Sequence, residues 1–186
     1  MDLLIFGIQG SGKGTQAKRL AEEHGFAIFE AGGELRRLVA SKTPLGEKVA
    51  SYINQGNLVP FEIIMQVVRG FVEEHQRENI LFDGMPRDLA QKEAFDAMMR
   101  ELHRSFSAVT ILVNEEEAVK RILGRAKEQG RADDANEETI RRRMQLFHEK
   151  TEPVIEAYAK EEKVIEVDGE GTMDEVYQRI EKALDV

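Results

Sequence analysis

Apolar positions along the 186-residue chain follow two patterns that alternate. Five short runs are apolar at nearly every position: Leu3–Phe6, Ala27–Phe29, Ile80–Phe82, Ala108–Val113 and Val164–Val167. Runs of this length with no in–out alternation read as strands buried on both faces. Long amphipathic segments with helical spacing separate them, the first from Gln16 to His24. Strand and helix in repeated succession predict βαβ units, and so an α/β fold with a parallel five-stranded sheet covered by helices on both faces. Two stretches break the alternation. Residues 30–59 read as helical fragments interrupted by Gly32-Gly33, Pro44 and Gly56, a small helical insert with no strand. Residues 126–135 are polar and aperiodic, a short flap.

Between the first predicted strand and the first helix lies Gly7-Ile8-Gln9-Gly10-Ser11-Gly12-Lys13-Gly14-Thr15. A buried strand, a glycine-rich turn and a helix N-terminus in that order form a phosphate cradle. Glycines let successive N–H groups converge on an anion, the helix start adds partial positive charge, and Lys13 supplies an ammonium for the outer phosphates. The hydroxyl residue that usually follows the lysine is displaced by one position, to Thr15, with Gly14 between. The implied ligand is a nucleoside triphosphate or something shaped like one. Asp83 closes the third apolar run and precedes Gly84-Met85-Pro86-Arg87. A carboxylate placed there can hold the water shell of Mg²⁺ opposite the cradle, because magnesium keeps several waters and needs few protein ligands.

Charge narrows the choice of partner. The net charge of −9 is the wrong sign for nucleic-acid binding through a broad basic surface, yet the arginines are gathered at Arg36-Arg37, Arg87, Arg121, Arg125, Arg131 and Arg141-Arg142-Arg143. Local clusters of planar donors suit a small polyanion. The chain has no cysteine, which excludes disulfides and cysteine-liganded zinc, and its four histidines show no metal-ligand spacing. No apolar run approaches the ~20 residues of a membrane span, and Met1-Asp2 offers no basic leader. The expectation is a cytoplasmic protein that engages neither membrane nor nucleic acid.

Taken in order, Gly7–Thr15, Leu58-Val59-Pro60, Asp83–Arg87 with Gln91, Arg121–Arg125, Gly130–Asp134 and Asn136–Arg143 make the chain resemble the nucleoside monophosphate kinases, most closely the short-lid adenylate kinases. The resemblance implies a P-loop three-layer core (1–29, 60–123 and 136–186), an NMP-binding insert (30–59) and a short lid (124–135). It implies reversible Mg²⁺-dependent transfer of the ATP γ-phosphoryl to AMP by a protein acting as a monomer. In this family Gly10, Ser11, Gly12, Lys13, Gly14 and Thr15 hold the triphosphate, and Arg121 and Gly171 lie at the adenine of ATP. Arg36 and Arg87 grip the acceptor phosphate, with Ala31, Asn57, Leu58, Val59, Gly84 and Gln91 around the acceptor nucleoside. Arg125, Arg131 and Arg143 surround the transferring group. Absence of cysteine suits the short-lid branch, where no zinc is expected.

The residues support those roles on their own terms. Arg121 and Arg125 share one helix face. In the helix from Asn136, the stripe Ile140, Met144 and Phe147 is the buried side, flanked by Arg143, with Arg142 pointing away. A phosphate acceptor already carries an ionised oxygen, so positioning and charge neutralisation suffice without a general base. A lid that closes over the site keeps water from the phosphoryl group.

The chain departs from the family pattern in four places. Gln9 stands where proline is usual, Ala135 is a one-residue insertion, and the doublet Arg36-Arg37 offers two acceptor cations, of which spacing to Leu45-Gly46 favours Arg36. The usual Ser-Thr-Gly-Asp appears as Glu30-Ala31-Gly32-Gly33. Alanine at position 31 points to a UMP/CMP or broad-specificity kinase. Gln91, which can pair with an adenine edge as donor and acceptor, points to AMP. A non-catalytic nucleotide sensor would need a broken lysine or arginine set, and this set is whole.

Overall fold

The computed structural model describes residues 1–129 and 136–185, and for 125–129 the backbone only. The strands are β1 (Asp2–Gly7), β2 (Ala27–Glu30), β3 (Ile80–Asp83), β4 (Phe106–Leu112) and β5 (Val164–Asp168). They form one sheet in the order β2-β3-β1-β4-β5 with every pairing parallel, Leu4 standing opposite Phe82 on one side and Ala108 on the other. Each strand falls on an apolar run of the sequence to within a residue or two. The helices are α1 (Lys13–His24), α2 (Ala31–Ala40), α3 (Pro44–Ile53), α4 (Phe61–Glu74), α5 (Leu89–Glu101), α6 (Glu115–Gln129), α7 (Glu137–Leu146), α8 (Glu152–Lys160) and α9 (Met173–Leu184).

Alternate side chains of each strand feed two cores. Leu4, Phe6, Phe29 and Phe82 pack under α4, α5 and α8 through Val68, Phe95, Met99 and Tyr158. Leu3, Ile5, Leu81 and Val109 pack against α1 and α9 through Ala17, Leu20, Tyr177 and Ile180. This is the expected three-layer arrangement, and burying each large apolar side chain contributes about 1.5–3 kcal/mol. A third cluster seats the phosphate loop, with Ile8 packed against Ala118 and Ile122 of α6 and Ile140 and Met144 of α7. At the opposite end of the central strand, buried Asp2 accepts from Arg104 Nη2 and Nε, both at 2.6 Å, and from the Ile80 N–H at 2.8 Å. No helix of the described residues is long and apolar enough to cross a membrane.

Four local expectations are corrected. The first helix begins at Lys13 rather than Gln16, since Gly12 already serves as its N-cap. Gly32-Gly33 do not interrupt the insert: β2 passes straight into α2 through Glu30, and both glycines sit in its first turn, where the N–H groups lack helical partners in any case. Residues up to Gln129 continue α6, because Ala126-Lys127-Glu128-Gln129 are good helix formers with no breaker before Gly130. The helix from Asn136 does not run on regularly past Leu146 but passes through a π-helical turn, Phe147–Thr151, into α8.

Candidate active site

Parallel strands deliver their loops to the same end, and the ends of β1, β2 and β3 open onto one cavity of about 1040 Å³. Its floor is the loop between β1 and α1. Gly10 has φ +87, and a Cβ there would strike the Ala118 carbonyl of α6, so the loop is pressed onto that helix in a conformation only glycine takes readily. Ser11 Oγ is buried beneath Gly7 with no hydrogen-bond partner among the described residues, a donor directed into the loop. Lys13 opens α1 and lines the same space.

Asp83 ends β3 beside the start of α1. Burial holds its carboxyl above the usual carboxylate range, with Lys13 and then Arg87 opposing the shift. Its Oδ1 has no hydrogen-bond partner among the described residues. A buried hard oxygen with spare acceptor capacity next to the glycine-rich loop fits the water shell of a magnesium ion. The displaced hydroxyl of the loop motif is explained here: a Cβ at Gly14 would stand 3.2 Å from Asp83 Oδ2, so a side chain beside the lysine would crowd the carboxylate.

The other side of the cavity is built around Arg87. Its Nε donates to the Gly84 carbonyl at 2.6 Å, its N–H donates to Gln91 Oε1 at 2.9 Å, and its carbonyl accepts from Thr151 Oγ1 at 2.9 Å. Burial disfavours its charged form, Asp83 restores part of it, and Arg143 and Arg36 add repulsion. Three arginines from α2, the loop after β3 and α7 therefore converge where a phosphate would relieve their repulsion. Arg36 faces the cavity and is held by Glu30 at 3.0 Å, whereas Arg37 is largely exposed and pairs with Glu34. Gln91 is buried, and Asp88 caps α5 beneath it by accepting the Gln91 N–H at 2.8 Å.

Of the residues singled out in the sequence, the cavity gathers Gly10, Ser11, Gly12, Lys13, Gly14, Thr15, Ala31, Arg36, Asn57, Leu58, Val59, Asp83, Gly84, Arg87, Gln91, Arg121, Arg143 and Gly171. Arg121 is held by Glu117 at 3.0 Å at the edge of α6. Residues 130–135, with Arg131 and Ala135 among them, lie outside the described residues, as does the side chain of Arg125. Arg142 is a correction. It does not point away but donates to Asn57 Oδ1 at 3.2 Å, tying α7 to the end of the insert, where a Cβ on Gly56 would meet the Thr139 carbonyl at 3.0 Å. Sequence reading missed Glu30 and Thr151 as site residues. Only the unusual Glu-Ala-Gly-Gly segment hinted at the first, and nothing marked the second.

Comparison with known proteins agrees with this construction. The family model described as "Adenylate kinase" matches residues 5–163. A protein of that name from Thermus thermophilus is 47% identical over 185 residues, covering 99% of this chain and 97% of the relative. One from Nocardioides is 44% identical over 188 residues, covering 100% and 98%. One from Bacteroides thetaiotaomicron is 38% identical over 187 residues, again covering 100% and 98%. Likeness from end to end, with the phosphate loop, buried Asp83 and converging arginines in one cavity, shows that the chain belongs to the adenylate kinase family.

Proposed function

We propose that the protein catalyses reversible transfer of the γ-phosphoryl of ATP to AMP, giving two ADP, within this one cavity. The observation that carries the reading is the convergence of Arg36, Arg87 and Arg143 on a space bordered by the phosphate loop. A site built this way binds two phosphate-bearing ligands side by side, one on the loop and one on the arginines.

In this reading the amides of Gly10–Thr15 and the Lys13 ammonium hold the triphosphate, and Arg121 and Gly171 border its base. Arg36 and Arg87 orient the acceptor phosphate, whose ionised oxygen attacks in line without a general base. Arg143, joined by Arg125 and Arg131 from the lid, offsets charge on the transferring group. Asp83 would hold the hydrated Mg²⁺, which when bound neutralises charge across the outer phosphates. Residues 30–59 act as the acceptor-binding insert and 124–135 as the lid that excludes water. The net charge of −9 supports a protein with no nucleic-acid partner, and in this reading it works on small nucleotides as a monomer in the cytoplasm.

Gln91 supports AMP as the acceptor. An amide offers two donors and two lone pairs. One lone pair takes the Arg87 N–H, and one N–H reaches Asp88 Oδ2 at 3.3 Å. One donor and one acceptor remain, the pair an adenine edge requires. Ala31, buried at the start of α2, favours the second reading, a UMP/CMP or broad-specificity kinase. A panel of monophosphates incubated with Mg·ATP and separated by chromatography decides between them. AMP should lead UMP and CMP by roughly 5- to 150-fold in kcat/KM, because a pyrimidine leaves the buried amide partly unpaired. Parity among the three would favour the broad-specificity reading. No phosphorylated product from any of them would make the protein a nucleotide sensor.

A further inference from the structure

Glu30 is a carboxylate set among groups that gather cations for phosphate. It ends β2 opposite Asp83 in the β2–β3 register and forms the N-cap of α2 without using its side chain as the cap. Its Oε1 accepts from Arg36 Nη2 at 3.0 Å, and its Oε2 lies 3.9 Å from Lys18 Nζ. The ion pair lies against the first turn of α2, where Gly32 and Gly33 stand. A Cβ on Gly32 would stand 3.1 Å from Arg36 Nη1, and one on Gly33 would stand 3.6 Å from Glu30 Oε1. Gly32, which the family pattern shares, leaves room for Arg36, whereas a Cβ on Gly33 would make only ordinary contact, so the departure that matters here is Glu30 itself, a carboxylate laid against the acceptor-side arginine.

The charge of Glu30 reaches further. It helps push the Asp83 carboxyl up, while Arg36 adds to the repulsion felt by Arg87. Glu30 therefore stands inside the field of the acceptor site. A phosphate that approaches Arg36 finds one of its five donors already committed, and a negative charge beside it.

We propose that Glu30 is an affinity-setting residue of the acceptor site, an internal anion that competes with the incoming phosphate for Arg36. The inference rests on the acceptor-site reading given above. While the pocket is open, the carboxylate keeps Arg36 in place. When phosphate binds, repulsion from the carboxylate weakens the bound state. Ground-state affinity that is not increased in the transition state lowers KM without raising kcat, so a built-in competitor favours release and turnover over tight holding.

Glu30→Gln tests the charge alone, because the amide oxygen still accepts from Arg36. Calorimetry with inorganic phosphate, AMP and ATP is run on the wild type, on this variant and on Glu30→Ser, which removes the group entirely. The expected result is an approximately 2- to 5-fold lower Kd for inorganic phosphate and for AMP in both variants, the range typical of a half-exposed charge pair, with ATP affinity unchanged. In steady state KM for AMP falls while kcat does not rise. Unchanged or weaker AMP and phosphate binding in a folded variant would overturn the proposal, leaving Glu30 as a structural support for Arg36. The site reading has its own control: Arg36→Met should weaken AMP, and phosphate should compete with AMP in the wild type. Failure of that control would reject the acceptor site itself rather than the role of Glu30.

Discussion

Thr151 Oγ1 donates to the main-chain carbonyl of Arg87 at 2.9 Å, joining the π-helical turn to the loop after β3 across 64 residues of sequence. With Gln91 Oε1 accepting the Arg87 N–H, both polar groups of that residue's backbone are held by side chains. Thr151→Val keeps the shape but removes the partner of a part-buried carbonyl, at a cost of about 1 kcal/mol. We expect KM for AMP to rise roughly 3- to 10-fold with KM for ATP little changed, since Arg87 loses its placement rather than its charge. Thr151→Ser should restore the wild-type value. Steady-state kinetics with each nucleotide varied in turn is the check, and an equal rise in both KM values would reduce Thr151 to a packing residue.

Asp83 couples stability to function in opposite directions. Its folded-state carboxyl is shifted up, chiefly by burial, so between its ordinary value and the raised one the folded state binds more protons than the unfolded chain. Stability contributed by this group then falls as pH rises, and the cost is complete above the raised value. Asp83→Asn should therefore raise the nucleotide-free Tm at neutral pH while sharply reducing Mg²⁺-dependent turnover. Thermal melts at pH 7–8 provide the measurement, and a lower Tm in the variant would show that Lys13 and Arg87 more than offset the burial.

Removal of the Lys13 ammonium should cost about 10³-fold or more in kcat, the scale for a contact that strengthens as charge develops on a phosphoryl group. Lys13 also opposes the upward shift of Asp83, so the residual activity of Lys13→Met should lose its acid limb at a higher pH than the wild type. A pH–rate profile of a folded variant reads both effects. More than a tenth of wild-type kcat would mean that the loop does not hold the transferring phosphate.

Far from the cavity, Arg104 and Asp2 form a pair in which the Asp2 side chain is 2% and the Arg104 side chain 13% exposed. Arg104 also donates to the Gln76 and Glu78 carbonyls, tying β1 to the turn before β3. Breaking a buried pair by removing one partner costs about 3–5 kcal/mol. Arg104→Met should lower Tm by roughly 6–20 °C, with KM for both nucleotides unchanged at permissive temperature. A shift under 2 °C would class this pair with the weak surface bridges.

What the chain by itself determined is local and periodic. Apolar runs of strand length place all five strands, and parallel topology follows from the amphipathic segments between them, because a parallel pair needs a crossover long enough for a helix. The phosphate loop is equally legible: its glycines, its lysine and its position after a strand are consecutive in sequence. Pairings made at a distance were not legible. Thr151 reaches Arg87 because a π turn changes the helical phase between α7 and α8, and no residue pattern from Phe147 to Thr151 announces that change. Arg142 turns to Asn57 instead of solvent because Gly56 lets the end of the insert close onto α7. The direction of the Asp83 shift was likewise settled by tertiary structure, since the balance of burial against Lys13 and Arg87 depends on how far each sits from the carboxylate and how much water remains between them.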